Sequence, residues 1–218
     1  CLLSLIKSFT IDKDIEIFPV IIDHQLRNNS SLEARIVMQI AKKIGFSAKI
    51  KKVTDLSPVK NIQNWARLHR RNLLIEECLK LNANLMLAHQ SDDQIETIFM
   101  RLIRGSGFPG LIGMKLISEW KQVKVIRPLL SFSKSDILRY NFDNCLKFVD
   151  DPSNRDIKFE RVVTRKILIQ MKNNQEYDIK KSLKRISFLS IGLLSCIDLK
   201  IMRGVSKMFS PRANIALI

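Results

Sequence analysis

The residues best suited to chemistry stand in the stretch His89-Gln90-Ser91-Asp92-Asp93-Gln94-Ile95-Glu96-Thr97. Its pattern predicts a strand that ends near His89 and a helix that opens on the acids. Asp93 and Glu96 are three positions apart, so a helix projects both carboxylates from one side, opposite the apolar stripe of Ile95, Ile98 and Phe99. Such a pair can hold an ammonium group or a magnesium ion. A structural use competes with the chemical one. Ser91 with Gln94 fits a capping box, and acids in a first turn complement the helix dipole. Taken alone, this stretch favours the structural use.

Four other stretches carry polar groups suited to phosphate or base chemistry. Asp23-His24-Gln25-Leu26-Arg27 directly follows an apolar, strand-like run, although a surface turn would look the same. Arg67, Arg70 and Arg71 fall on the polar side of a predicted helix, where a solvated face is the ordinary reading. Arg104-Gly105-Ser106-Gly107, continuing to Met114, forms a glycine-rich loop. Asp150-Asp151-Pro152-Ser153-Asn154 and the spaced Arg161 and Arg165 combine an acidic turn with guanidinium groups, a combination also expected of a cap and a surface helix.

These residues need elements to position them, and the chain predicts an alternation of strands and helices up to about residue 150. Strands are expected at residues 16–23 (weakened by Pro19), 46–53, 84–89 and 123–126. Helices are expected after Ser31, with Ile36, Val37, Ile40, Ala41 and Ile44 on one face and a stop at Gly45. Others are expected over 61–81, with Ile62, Trp65, Ala66, Leu73 and Leu74 inward, over the stripe Ile95, Ile98, Phe99, Leu102 and Ile103, and from about Ser133. The alternation implies an α/β fold with a parallel sheet covered by helices on both faces, followed by a basic helical segment. In such sheets ligands bind beyond the C-terminal ends of the strands, where His24, His89 and the acids would lie.

Thirty-seven Lys and Arg against 21 Asp and Glu leave a net charge of +16, which favours a polyanionic partner, unless the source simply makes basic proteins. The last 62 residues hold 13 of the bases and 4 of the acids, and a soft domain boundary falls near residue 157. The uncharged run 186–197 is far short of the ~20 residues of a membrane-spanning helix, and no secretory pattern is evident. Cys1, Cys78, Cys145 and Cys196 show neither a CxxC pair nor metal-ligand spacing, which predicts reduced structural thiols in a cytosolic protein.

In order and spacing, these stretches resemble the tRNA(Ile)-lysidine synthase family of N-type ATP pyrophosphatases. The resemblance runs through Asp23-His24-x-Leu26-Arg27, Ala66-Arg67-x-x-Arg70 and His89-x-x-Asp92-Asp93-Gln94-x-Glu96-Thr97. It continues in Arg104-Gly105-Ser106-Gly107-x-x-Gly110-Leu111-x-Gly113-Met114, Arg127-Pro128-Leu129-Leu130, Asp151-Pro152-Ser153-Asn154 and Arg161. It covers residues 1 to about 170. The resemblance implies a cytoplasmic ligase with a Rossmann-like, adenine nucleotide alpha hydrolase-like fold that uses ATP and Mg2+. It would join L-lysine to the wobble cytidine of a tRNA(Ile) with a CAU anticodon, through an adenylated cytidine; a homodimer is left open. By similarity Asp93 and Glu96 hold the lysine. Asp93, Arg70 and Arg161 serve the reacting centre, while His24, His89 and Asp92 line the nucleotide cleft. The metal ligands are not indicated. Residues 1–156 would form the ATP pyrophosphatase domain, and 157–218 a basic helical linker and the start of a tRNA-binding region.

One departure stands out. The family grips pyrophosphate with a Ser-Gly-Gly-x-Asp-Ser loop, whose backbone N–H groups face the phosphates, and this sequence has none. The run Cys1-Leu2-Leu3-Ser4-Leu5-Ile6-Lys7 resembles the helix after that loop, so the chain is expected to be a fragment with weak or no catalysis by itself. Rival readings are a tRNA thiolase of the same ATPase group, an amidotransferase relative, a non-catalytic tRNA-binding remnant and a membrane-surface binder. The missing CxxC counts against a sulfur-handling thiolase, and the tail is too irregular for the membrane binder.

Overall fold

The computed structural model of the chain describes residues 1–148, 160–173, 182, 183, 185 and 213–217. In chain order the elements are α1 (Leu2–Thr10), β1 (Ile15–Asp23), α2 (Ser30–Ile44), β2 (Lys49–Lys52), α3 (Ile62–Lys80), β3 (Ala83–Met86) and α4 (Ser91–Ile103). There follow α5 (Phe108–Leu111), β4 (Ile117–Trp120), β5 (Val123–Ile126), α6 (Lys134–Asp143), α7 (Glu160–Asn173) and β6 (Ala213–Leu217). The strands form one sheet in the order β2-β1-β6-β3-β5-β4. Every pairing is parallel except that of β4 with β5. The expected parallel sheet is therefore present, with one antiparallel edge strand that the sequence pattern did not announce.

Period-two alternation explains why both faces are covered. Leu85 packs with Val20, Leu74, Ile75, Cys78 and Val125 beneath α3. The next residue, Met86, joins Leu2, Ile6 and Leu129 on the opposite face, with Ile15, Ile17, Ile126 and Ile137 beside them. Pro19 is tolerated in β1 at a change of neighbour. Residues 15–19 pair with β6, and pairing with β2 begins at Val20.

Two helix faces differ from expectation. In α2 the buried residues are Ala34 and Ala41, while Ile36 and Val37 are exposed, and Gly45 ends the helix in the left-handed region at φ 105°. In α3 the buried face is Leu74, Ile75, Glu77 and Cys78, and Ile62 is exposed. Glu77 is held in the interior by Lys49 and Lys51 of β2. The tail expected to be helical supplies α7 and also β6, which sits in the middle of the sheet between β1 and β3.

Candidate active site

Because β1 and β3 run parallel, the segments that leave them emerge at the same edge of the sheet. Asp23 ends β1, buried, and organises the turn beyond it. Its carboxylate accepts hydrogen bonds from the Gln25 N–H at 3.0 Å and the Ser31 hydroxyl at 2.6 Å. Burial opposes its ionisation, but these bonds and nearby Lys52 outweigh burial and hold it below the ordinary carboxylate range. The next side chain, His24, has a buried Nδ1 without a hydrogen-bond partner. Burial and the charge of Arg70 keep His24 below the usual histidine range.

His89 lies three residues beyond β3, on the same edge of the sheet. Its Nδ1 is also buried and unpartnered. Burial, followed by the charges of Arg127, Arg161, Arg70 and Arg67, lowers its pKa from 6.5 to about 4. His89 is therefore neutral near pH 7. Its folded-state pKa lies below the unfolded value, so the unfolded chain takes up the proton first on acidification. Stability is expected to fall as the pH drops from 6.5 towards about 4. Denaturant titrations across that range should show a shallower loss in His89→Gln.

The arginines come from two helices. Arg67 and Arg70 on α3 are exposed along much of their length. Partial burial and the charge of Arg161, on α7, press both below the ordinary guanidinium range. Arg71 is drawn aside, its guanidinium 4.6 Å from the centre of the Trp120 ring. Arg127 is buried just beyond β5. It donates to the Lys115 carbonyl at 2.8 Å and the Ser118 hydroxyl at 2.9 Å, while its Nε has no partner. Like charges gathered this closely repel one another, and an anion of several charges seated among them would relieve that repulsion.

Across from them stands the first turn of α4. The capping box is formed by Gln90 and Asp93, rather than Ser91 and Gln94 as the pattern suggested. Asp93 Oδ2 accepts the Gln90 N–H at 3.1 Å, and Gln90 Oε1 accepts the Asp92 N–H at 3.1 Å. Gln94 has a different task, since its buried amide donates to the Met114 carbonyl at 2.9 Å and accepts the Met114 N–H at 2.7 Å. Asp92 Oδ2 accepts the Lys134 N–H at 2.8 Å, which ties the start of α6 to the start of α4. Burial raises Asp93 above the ordinary carboxylate range, against the pull of the Gln90 hydrogen bond, Arg161 and Arg165. Glu96, 3% exposed, accepts the Arg165 Nε–H at 2.7 Å through Oε1, while Oε2 is buried without a partner.

Most of the residues singled out in the sequence thus converge. Arg161 is electrostatically close to Asp93 on one side and to Arg67, Arg70 and His89 on the other, and Arg70 reaches His24. Asp92 stands beside the group but is engaged with α6. The turn 151–154 lies outside the described residues. In the sequence Arg165 stands out only as an arginine spaced from Arg161, and Gln94 and Arg127 only within the capping and family motifs; none has an assigned role in the site. Among the described residues no three His, Cys, Asp or Glu side chains gather as a metal-binding group. A hollow of about 520 Å³ lined by Ile36, Ile40, Ile44, Leu146 and neighbours shares no residue with this cluster.

An open α/β sheet with histidines, guanidinium groups and acids at the C-terminal edge of its parallel strands defines a ligand-binding domain of the doubly wound class. The family model ATP_bind_3, described as a PP-loop domain, matches residues 1–172, and the chain belongs to that family. Curated relatives include the tRNA(Ile)-lysidine synthase of Wolbachia pipientis wMel, 40% identical over 157 residues, or 71% of this chain and 36% of the relative. That of Orientia tsutsugamushi (strain Boryong) is 32% identical over 206 residues, or 90% of this chain and 45% of the relative. The chain spans less than half the length of either. A U34-tRNA thiolase, NcsA from Methanococcus maripaludis, shares the fold with a TM-score of 0.68 at 17% identity, covering 85% of this chain and 67% of its own. No described helix is long and apolar enough to cross a membrane.

Proposed function

We propose that this chain carries the ATP- and amine-binding centre of a cytoplasmic enzyme that ligates L-lysine to the wobble cytidine of tRNA(Ile) with a CAU anticodon. The observation that carries the reading is the buried Glu96 carboxylate, one oxygen bound by Arg165 and the other unpartnered, one helical turn from Asp93, which itself lies near Arg161 of the mutually repelling arginines. One side of the cleft suits an ammonium group and the other a phosphate. The names of the curated relatives support the same reading.

In this reaction the cytosine ring carbonyl oxygen attacks the α-phosphate of ATP, and pyrophosphate leaves. The lysine ε-amine then attacks the activated ring carbon; a C–N bond forms and AMP departs with the oxygen. Arg67, Arg70 and Arg161 offset the charge that builds on the phosphoryl oxygens. Glu96 holds the incoming ammonium. Asp93, raised by burial, accepts the proton that the ammonium must lose before it attacks. His24 and His89 act as neutral hydrogen-bonding groups toward the nucleotide. Magnesium is expected to travel with the ATP phosphates, and no step above depends on a protein ligand to it.

The test uses the chain with and without a Ser-Gly-Gly-x-Asp-Ser loop supplied ahead of Cys1, since that motif is absent from the sequence. Each form is incubated with ATP, labelled lysine and a tRNA(Ile) transcript. Label on the RNA and release of AMP are expected with the loop, and far less product without it. Sulfur incorporation from a labelled donor, with lysine left free, would transfer the assignment to a tRNA thiolase.

A further inference from the structure

Helix α7 reaches the site by docking on α4, and its sequence spacing explains how. Positions 161, 164, 165 and 168 recur at helical intervals, so Arg161, Thr164, Arg165 and Leu168 lie along one side of the helix. Leu168 packs with Ile95, Ile98 and Phe99 of α4. At the first turn Glu160 pairs with both of its oxygens to Arg104 Nη2, at 2.7 and 2.5 Å. That pair is exposed and contributes little. Between these contacts, Arg165 Nε–H meets Glu96 Oε1 at 2.7 Å, where Glu96 is 3% exposed.

We propose that Arg165 is a positioning residue for the amine site: it fixes Glu96 by one carboxylate oxygen so that the other, Oε2, is turned toward the incoming ammonium. This rests on the amine-binding reading given above. Two arginines one helical turn apart have different neighbours. Arg161 stands between Asp93 and the anion-side arginines Arg67 and Arg70, while Arg165 binds Glu96 and lies near Asp93 and Asp92. A buried carboxylate without a cation is costly, and Arg165 offsets that cost before any substrate arrives. It also keeps Glu96 from swinging towards Arg161, where it would cancel charge that the phosphate side requires. Docking of α7 thereby assembles both halves of the cleft at once.

The experiment compares the full chain with Arg165→Gln, Arg165→Lys, Glu96→Gln and the double variant Arg165→Gln/Glu96→Gln. Lysine affinity is measured by saturation-transfer NMR and stability by thermal melting. Arg165→Gln is expected to weaken lysine binding about tenfold or more, and Arg165→Lys to recover part of that loss. The double variant should melt no lower than Arg165→Gln alone, because both changes break the same contact. Lysine affinity within twofold of the parent in Arg165→Gln, or additive losses of melting temperature, would overturn the proposal. If the parent chain binds no lysine, the amine-binding reading itself fails. The melting comparison then still decides whether Arg165 and Glu96 act as a unit.

Discussion

Replacing Glu96 by glutamine is expected to depress lysine transfer by roughly a hundredfold to a thousandfold while ATP-dependent activation of the tRNA continues. The size follows from burial. An ammonium drawn into a site shielded from water depends on an anionic partner, and removing one member of a buried pair costs about 3–5 kcal/mol. The variant side chain keeps the shape of the original, so the contacts of α4 with α7 suffer less than the charge balance does. The two chemical steps should separate because Glu96 is paired with Arg165, whereas Arg67 and Arg70 gather with Arg161 as the anion-binding group. Pyrophosphate release measured without lysine, beside labelled lysine incorporation, checks the separation in the loop-bearing form of the chain. Equal loss of both signals would mean that Glu96 supports the fold or the nucleotide, and the amine assignment would fall.

The second large effect is one of stability. Gly113 has φ +73°, and a Cβ built there would lie 2.7 Å from Gln94 Nε2 and 2.8 Å from its Cδ and Oε1. Gln94 has little freedom to yield, being fully buried with its amide engaged twice by Met114. Arg101 tightens the same loop by donating to the carbonyls of Gly110 at 2.8 Å and Gly113 at 3.2 Å. Gly113→Ala combines left-handed strain with the loss of buried hydrogen bonds, together about 2–5 kcal/mol. In a chain of this size that lowers the melting temperature by roughly 4–20 °C. Gly105→Ala is the control, since Gly105 has φ +69° but open space around its Cβ position, and it should show the backbone strain alone. Equal melting temperatures for the two variants would show that the Gln94 contact is dispensable.

Long periodic segments were the legible part of this fold. Although Leu102 and Ile103 of the expected α4 stripe are exposed, its first part, Ile95, Ile98 and Phe99, the stop of α2 at Gly45 and the strand ahead of His89 all follow from local spacing. The covered face of α2 did not, because sequence periodicity weights large aliphatics while the helix rests on its two alanines, Ala34 and Ala41. The short edge strand β4 holds only Ile117, Ser118, Glu119 and Trp120, too little alternation to register. At the site, the acids and arginines were visible as residue types at helical spacing. Their pairing was not, since Arg165 and Glu96 are 69 positions apart and meet only through the docking of α7. The capping residue shifted for a similar reason. The pattern offered Gln94 to Ser91, but a loop 20 positions on claims its amide, which leaves the cap to Gln90 and Asp93.

The place of β6 bears on how quickly the chain reaches this form. Ala213 pairs with Ile15 and Asn214 with Ala83, so the central strand of the sheet is registered against partners well over a hundred residues earlier in synthesis. Closing loops of that length is entropically costly and slow. Until residues 213–217 emerge from the ribosome, β1 and β3 each present an unpaired edge toward the other, with the core already collapsing on both sides. Such a nascent chain has reason to depend on chaperones, and its refolding from denaturant should lag well behind that of helical domains of equal length.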